Sequence, residues 1–204
     1  MTVGLREQRK LRTRRALMES ALRLFMAKGY ESTTVAEIAA AAEVSPATFF
    51  NYFPGKEEVI FADRLAQAEA LAQALGEHHA GETPAQALLR ALHRMLDSPE
   101  WTMDPEAGDL VLARIRLIAT VPALSARALL EVAELQTRWS ADLTAAFPGE
   151  LDAFEADVLT GAAIGAILAV GGRALRTGVP ARPLPDLIRD AAAAALSPSR
   201  PQTA

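Results

Sequence analysis

The feature that most constrains the fold is a pair of short helices that the sequence predicts within residues 34–53. Thr34 and Glu37 have the spacing of a capping box, which satisfies backbone N–H groups that the first turn of a helix leaves unpaired. Ser45 followed by Pro46 is a second helix start, because serine caps a helix and proline is tolerated at its first position. Two capped helices joined by a tight turn predict a helix-turn-helix.

The second of these helices has one apolar face and one face suited to contact with a groove. Phe49 and Phe53 recur at helical spacing, and we expect them to be buried. The other face carries a small, polar and aromatic set of side chains, namely Ala47, Thr48, Phe50, Asn51 and Tyr52. Such a set is typical of a recognition helix that reads base edges in the major groove of DNA.

The charge distribution favours contact with nucleic acid at this end of the chain. The formal net charge of the protein is −4, so the molecule as a whole would repel DNA. Residues 1–15, however, hold six basic side chains and one acid, Glu7. A basic arm beside a recognition helix neutralises phosphates and releases counterions, which gives affinity that does not depend on base sequence. The alternative interpretation of this arm is a solvated, frayed terminus.

Helical periodicity continues along the whole chain, whereas no period-two strand pattern and no internal repeat occurs. Thr13 is a candidate cap for a first helix that ends at Lys28 and Gly29. The sequence therefore predicts an all-α protein of about nine helices. Beyond the helix-turn-helix, the expected helices cover about 56–76, 84–96, 106–119, 122–147, 151–176 and 186–196.

Several classes of protein are not expected from this sequence. It has no cysteine and only three histidines, so we expect no disulfide, no metal site and no cofactor. It also lacks a Glu-x-x-His pair and a convincing serine–histidine arrangement, which argues against an enzyme. The longest apolar run, residues 158–172, is shorter than the roughly 20 residues that span a bilayer. We expect a cytoplasmic protein without a signal peptide or membrane span.

The N-terminal pattern closely resembles the TetR family of transcription regulators. The residues that carry the resemblance are Thr13-Arg14, Lys28-Gly29-Tyr30, Thr33-Thr34-Val35, Ile38-Ala39, Val44-Ser45 and Phe49 to Glu58. The resemblance implies a DNA-binding domain at residues 8–66 with its motif at 34–53. It further implies a helical effector-binding and dimerisation domain at residues 67–197, and we expect a disordered tail at 198–204.

The resemblance also suggests roles for individual residues at the DNA. Thr34 and Ser45 would cap helices and touch phosphates, whereas Ala47, Thr48 and Asn51 would face base edges. Tyr52 and Lys56 would hold the DNA backbone. Phe50 departs from the family, which most often has tyrosine there, so we expect apolar contact with sugar or thymine methyl in place of a phosphate hydrogen bond.

The C-terminal half resembles the corresponding domain of mycofactocin-type regulators, on the evidence of residues 112–118 and 122–127. That resemblance implies a small hydrophobic, fatty acyl or acyl-CoA-like effector. The candidate ligand-binding residues are Trp101, Met103, Arg114, Leu117, Trp139, Leu143, Gly161 and Gly165. For the aromatic residues and the methionine, a place in the core is the more frequent role. For the two glycines, both dimer packing and a ligand pocket remain open.

The family further implies a homodimer built largely from the last two long helices, with Ile164, Leu168, Leu187 and Ala191 as candidate interface residues. The leading functional hypothesis is a ligand-responsive repressor that binds a palindromic operator on double-stranded DNA. Two alternatives are an all-helical enzyme that uses the C-terminal cavity and a helical carrier or adaptor whose helix-turn-helix only packs.

Overall fold

The computed structural model describes residues 4–62, 64–97, 108–178 and 182–197. Within them the fold is all-helical, as predicted, with nine α-helices and one 3₁₀ turn. The helices are α1 (Leu5–Lys28), α2 (Val35–Ala41), α3 (Pro46–Phe50), α4 (Arg64–Gly76), α5 (Pro84–Leu96), α6 (Gly108–Thr120), α7 (Pro122–Ala146), α8 (Ala153–Thr177) and α9 (Leu184–Leu196). The 3₁₀ turn, Glu57–Val59, lies between α3 and α4.

Residue contacts divide the chain into two units, of which the first is Met1–Ala62 with Asp109–Ser125. Here α1 packs against α2 and the 3₁₀ turn, and α2 packs against α3. The core of this bundle is aromatic: the ring centroids of Phe25 and Tyr30 lie 5.1 Å apart, and those of Phe49 and Phe53 lie 5.7 Å apart. Such pairs add about 0.5–1.5 kcal/mol beyond the burial of their area.

The second unit comprises Asp63–Gly108 and Ala126–Ala204. Within it α8 packs along α9, α4 packs along α5, and α5 contacts both α8 and α9. The buried core draws on five helices, with Leu71, Leu75, Leu88, Leu92, Leu96, Trp139, Leu143, Ile164 and Ile188 among its large side chains. Thr83 and Asp152 each form a capping box, which fixes where α5 and α8 begin.

Two predicted helix starts are wrong. The N-cap of the first helix is Gly4 instead of Thr13, and the amide of Gln8 already donates to the carbonyl of Gly4 at 3.0 Å. The basic arm is therefore helical, because Thr13 tolerates an interior position and the arm holds mostly good helix formers. The predicted helix over 56–76 is also divided into the 3₁₀ turn and α4.

Of the helices in the described residues, α8 is long and apolar enough to cross a membrane by length and composition alone. Its most apolar window has a mean hydropathy of 1.7, and 28% of that window is buried within the protein. Ala156, Thr160, Ala163 and Ile164 form the buried face. Since the core of a soluble protein uses helices of the same composition, this feature is weak evidence for a membrane span.

Candidate nucleic-acid interface

The start of α2 is fixed by the capping box that the sequence predicted. The hydroxyl of Thr34 accepts from the amide of Glu37 at 3.3 Å, and the carboxylate of Glu37 accepts from the amide of Thr34 at 2.9 Å. Lys28 donates to the same carboxylate and, together with Thr34, lowers the pKa of Glu37 to about 2. The end of α1 is thus tied to the beginning of α2.

A tight turn leads from α2 to α3 and has an unusual conformation at Glu43. This residue has φ 56°, and it is the only non-glycine residue with positive φ within the described residues. The conformation is left-handed and costs a residue with a Cβ atom roughly 1–2 kcal/mol. After the turn, Ser45 caps α3 by accepting from the amide of Thr48 at 3.1 Å. The two hydroxyl oxygens, of Ser45 and Thr48, also lie 2.9 Å apart.

The two faces of α3 differ as predicted. Phe49 and Phe53 are buried in the bundle, whereas the side chain of Phe50 is 57% exposed. The ring of Phe50 meets the edge of Phe49 at a centroid distance of 5.6 Å and an interplanar angle of 87°, so its position is supported by the core. Ala47 and Asn51 are exposed, and both belong to the set predicted to meet base edges.

Three predicted DNA-contacting residues remain to be placed. Thr48 is half-buried through its hydroxyl contact with Ser45, and Tyr52 is half-buried beyond the C-terminal end of α3. Asn51 is the C-cap of the helix, not an interior residue. The short helix therefore offers an exposed surface made of Ala47, Phe50 and Asn51, with the hydroxyls of Ser45 and Thr48 at its N-terminal end.

Lys56 has partners that the sequence did not predict. Its ammonium donates to the backbone carbonyl oxygens of Tyr30 at 2.8 Å, Thr33 at 3.1 Å and Glu31 at 3.2 Å. It also lies 4.4 Å from the centroid of the Tyr30 ring. Because an ammonium has three donors, these contacts use all of them. A phosphate contact from Lys56 remains a prediction and would have to displace one of these acceptors.

The six basic residues among residues 1–15 form two groups. Arg14 and Arg15 have partners inside the first unit: Arg14 donates to the carbonyl of Ala62 and lies 5.5 Å from the Phe53 ring centroid, and Arg15 pairs with Glu19 at 2.9 Å. The other four side chains, Arg6, Arg9, Lys10 and Arg12, are exposed. Their contact with phosphates stays a prediction, for which exposure is a requirement.

The candidate effector residues on α7 lie in the core of the second unit. Trp139 and Leu143 are fully buried there. The indole Nε1 of Trp139 is buried and has no hydrogen-bond partner among the described residues, which is uncommon for a buried tryptophan. Arg114 and Leu117 are half-buried on α6 and belong to the first unit.

Trp101 and Met103, also candidate ligand residues, lie outside the described residues. The two candidate glycines of α8 have different surroundings. A Cβ atom at Gly161 would lie 3.3 Å from the amide nitrogen of Gln136, so this glycine lets α7 approach α8. At Gly165, a Cβ atom would meet nothing within 4 Å, and the residue is exposed.

The candidate dimer residues also differ in exposure. Ile164 is 5% exposed and packs within the core of its own protomer, so its side chain has little surface left for a partner. Leu168 is exposed, and Leu187 and Ala191 are half-buried. Sequence reasoning missed Phe154 and Val158, whose exposed side chains precede Leu168 on α8. The sequence did contain an indication of them, because α8 is apolar on nearly all sides and one helix cannot bury all of these faces in its own core.

Comparison with known proteins agrees with this arrangement. The model of the family described as bacterial regulatory proteins, tetR family, matches residues 17–62, which contain α2, the turn and α3. The HTH-type transcriptional regulator TcmR of Streptomyces glaucescens is 39% identical over 150 residues. That region is 73% of this chain and 66% of TcmR, so the chain spans just under two thirds of this relative's length.

Solved structures share the fold over nearly the whole chain. The fatty acid degradation regulator FadR of Bacillus halodurans has a TM-score of 0.61 at 16% identity, covering 91% of this chain and 99% of its own. FadR of Thermus thermophilus, solved in complex with lauroyl-CoA, has a TM-score of 0.54 at 23% identity, covering 94% and 99%. Residues 17–62 thus match the tetR family of bacterial regulatory proteins, the chain is similar to the transcriptional regulator TcmR, and its helical fold is that of the two FadR structures.

Proposed function

We propose that this protein is a ligand-responsive, dimeric repressor that binds a palindromic DNA operator. The single observation that carries the proposal is the geometry of α3: both of its ends are fixed, Phe49 anchors it in the core, and Ala47, Phe50 and Asn51 remain exposed. A helix that is held rigidly and leaves small, polar and aromatic side chains uncovered fits the major groove.

The proposed interface divides into groups that read bases and groups that hold phosphates. Asn51 and Thr48 are the hydrogen-bonding candidates for base edges, and Phe50 is the candidate for a thymine methyl group. Thr34, Ser45 and Tyr52 are proposed to contact phosphates, which positions the helix without reading sequence. The exposed cations Arg6, Arg9, Lys10 and Arg12 of α1 supply the salt-dependent part of the affinity.

We propose that the effector is elongated and apolar, of fatty acyl or acyl-CoA type, as the mycofactocin-type resemblance implies. The unpaired indole N–H of Trp139 supports a ligand that brings a hydrogen-bond acceptor into the apolar core of the second unit. The T. thermophilus FadR, which shares the fold, holds lauroyl-CoA. Arg114, Leu117 and Gly161 stay candidates for further contacts.

The outer face of α8 supports a homodimer. Phe154, Val158, Gly165 and Leu168 are exposed and fall within an arc of about 80° on the helix. Leaving such a row in water is unfavourable, and a second copy of α8 would cover it. Because Gly165 has open space around it, two such helices can approach closely there. A second copy also accounts for the apolar composition of α8 in a cytoplasmic protein without a membrane span.

Regulation then follows from two coupled sites. In a dimer, the two recognition helices must reach successive major grooves about 34 Å apart. We propose that the effector, bound by the domain at 67–197, favours a spacing of the two DNA-binding domains at 8–66 that no longer fits those grooves. The ligand must bind the free protein more tightly than the operator-bound protein for this to work.

The test is a fluorescence anisotropy titration with short duplexes tiled across the DNA upstream of the protein's own gene. We expect one duplex to bind at least about 10³-fold more tightly than a scrambled duplex at physiological salt. Lauroyl-CoA should release that duplex. Equally weak binding to every duplex would reject the proposal.

The carrier alternative is separated by a matched pair of measurements on one variant. In a carrier, the variant with both Thr48→Ala and Asn51→Ala should bind its ligand and its partners as the parent does, because the two side chains then have only a structural role. In a regulator the same variant keeps its affinity for lauroyl-CoA and loses its preferred duplex. Measurement of both affinities on the same preparation therefore decides between the two functions.

A further inference from the structure

The ammonium of Lys56 contacts the loop that joins α1 to α2, although Lys56 itself follows α3 in the chain. The loop, residues 29–34, turns back on itself through Gly29, which has φ 89°. Its carbonyl groups at Tyr30, Glu31 and Thr33 converge on the ammonium of Lys56, 23 to 26 residues further along the chain. Three converging carbonyls with no other cation would repel one another, so the ammonium is what holds them together.

Two residues next to the ammonium, Tyr30 and Thr33, are buried. The Tyr30 side chain is buried, its pKa is raised to about 12 by that burial, and its ring lies beneath the ammonium. Thr33 is 1% exposed, and its hydroxyl donates to the carbonyl of Gly29 at 2.8 Å. Thr34, the next residue, is the N-cap of α2. The contacts of Lys56 thus end one residue before the point where the helix-turn-helix begins.

We infer that Lys56 is a positioning residue: its ammonium clamps the carbonyls of residues 30–33 and thereby fixes where α2, and with it α3, stands in the DNA-binding bundle. The inference rests on the proposed DNA-binding function for its consequence at the operator. In this role Lys56 affects operator binding indirectly, by holding the loop before α2. A phosphate contact would instead be a direct interaction between Lys56 and the DNA.

The first test measures the clamp without DNA. Lys56→Met keeps the length of the side chain and removes the charge and all three donors. Hydrogen exchange at the amides of Thr33 and Thr34 should then become at least about tenfold faster, because both amides depend on the folded loop. Leu17→Val is the control for general destabilisation, because it creates a small cavity in the core of the first unit, away from the loop. Unchanged exchange in Lys56→Met would overturn the inference.

The second test separates positioning from phosphate contact. If Lys56 positions α2 and α3, Lys56→Met loses about tenfold or more in operator affinity, while its affinity for a scrambled duplex and its salt slope stay close to those of the parent. A phosphate contact predicts the opposite: a salt slope smaller by about one and equal losses on both duplexes. Lys10→Met, on the exposed face of α1, provides the reference for that second pattern.

Lys56→Arg is the conservative variant. A planar guanidinium keeps the charge but cannot direct its donors toward three carbonyls around one point. We expect it to keep the salt slope of the parent, as Lys56→Met does, and to leave the fast loop exchange and the weakened operator binding in place. Full recovery by arginine would show that charge alone matters and would overturn the inference. Should the parent protein prefer no DNA at all, the proposed function fails, and the exchange experiment still decides the clamp.

Discussion

At the residue scale, the best-determined parts of the interface are local hydrogen bonds. Thr34 with Glu37 and Ser45 with Thr48 form the caps that their spacing predicted, since a cap involves residues only three apart. The partners of Lys56 lie 23 to 26 residues away and depend on the packed bundle. Hydrogen bonds between residues close in sequence can thus be predicted from the sequence, whereas contacts between distant segments can be identified only once the fold is known.

Glu43 offers a direct test of backbone strain in the turn. Glu43→Gly removes the clash of a Cβ atom at φ 56°, although it adds entropy to the unfolded chain. We expect it to be more stable than Glu43→Ala by roughly 1 kcal/mol, since alanine keeps the strain and both variants lose the same carboxylate. Urea denaturation at pH 7 measures the difference. An alanine variant as stable as the glycine variant would mean that the turn is not strained.

At the element scale, helix existence was predictable and helix ends were less so. The apolar stripes of α5, α7, α8 and α9 were long enough to be recognised from their period. The N-cap of α1 was predicted nine residues too late, because Thr13 is a plausible cap in isolation, although the preceding turns hold mostly good helix formers. Capping signals therefore indicate possible ends, and the surrounding helix propensity decides which are used.

The junction of α4 and α5 depends on one partly buried ion pair. Arg90 binds both carboxylate oxygens of Glu82, at 2.7 and 3.0 Å, and also donates to the carbonyl of Ala74 at 2.9 Å. The side chains are only 19% and 11% exposed. The hydrogen bonds from Arg90 lower the pKa of Glu82 to about 2. The pair thus fastens the end of α4 and the following loop to α5.

Glu82→Gln should destabilise the protein at pH 7 by about 1–3 kcal/mol, because the guanidinium of Arg90 loses a charged acceptor in a partly buried place. Since the folded pKa of Glu82 is lowered, its contribution is present above about pH 4.5 and is lost as the pH falls toward 2. Urea denaturation at pH 7 and pH 3 should show the variant approaching the parent at the lower pH.

The matched control for this pair is Glu77→Gln. Glu77, which directly follows α4, pairs with Arg94 of α5, but both side chains are half exposed, so its removal should destabilise the protein much less than the removal of Glu82. Equal losses from the two substitutions would show that burial of Glu82 does not strengthen its pair.

At the scale of the whole molecule, the proposed dimer depends on the outer face of α8. Leu168→Glu places a charge on the exposed apolar row while leaving the buried face of α8 untouched. We expect the dimer to dissociate at least tenfold more readily, with helical content unchanged, because a desolvated carboxylate without a partner opposes association. Sedimentation equilibrium measures the change. Ala141→Glu, at an exposed position on α7, is the control, and equal dissociation constants for both variants would contradict this interface.

The N-terminal motif was sufficient to predict the fold and the similarity to the tetR family, because many of its residues cap a helix, form a turn or fill the core. The residues of an effector site could not be identified from the sequence in the same way. Trp139 and Leu143 turned out to be core residues, and Ile164 packs inside its own protomer. An apolar residue on a helix has the same signature whether it faces its own core, a ligand or a second chain. Only the fold distinguishes these roles.

The central claim, that α3 reads DNA, is tested most directly by the ratio of operator affinity to scrambled-duplex affinity in the parent and in the variant with both Thr48→Ala and Asn51→Ala. Anisotropy titrations over a series of salt concentrations give both affinities and the salt slope. The account predicts that the variant loses most of this ratio, while its binding to scrambled DNA and its salt slope persist, because α1 still neutralises phosphates. A variant that keeps the full ratio would contradict the account.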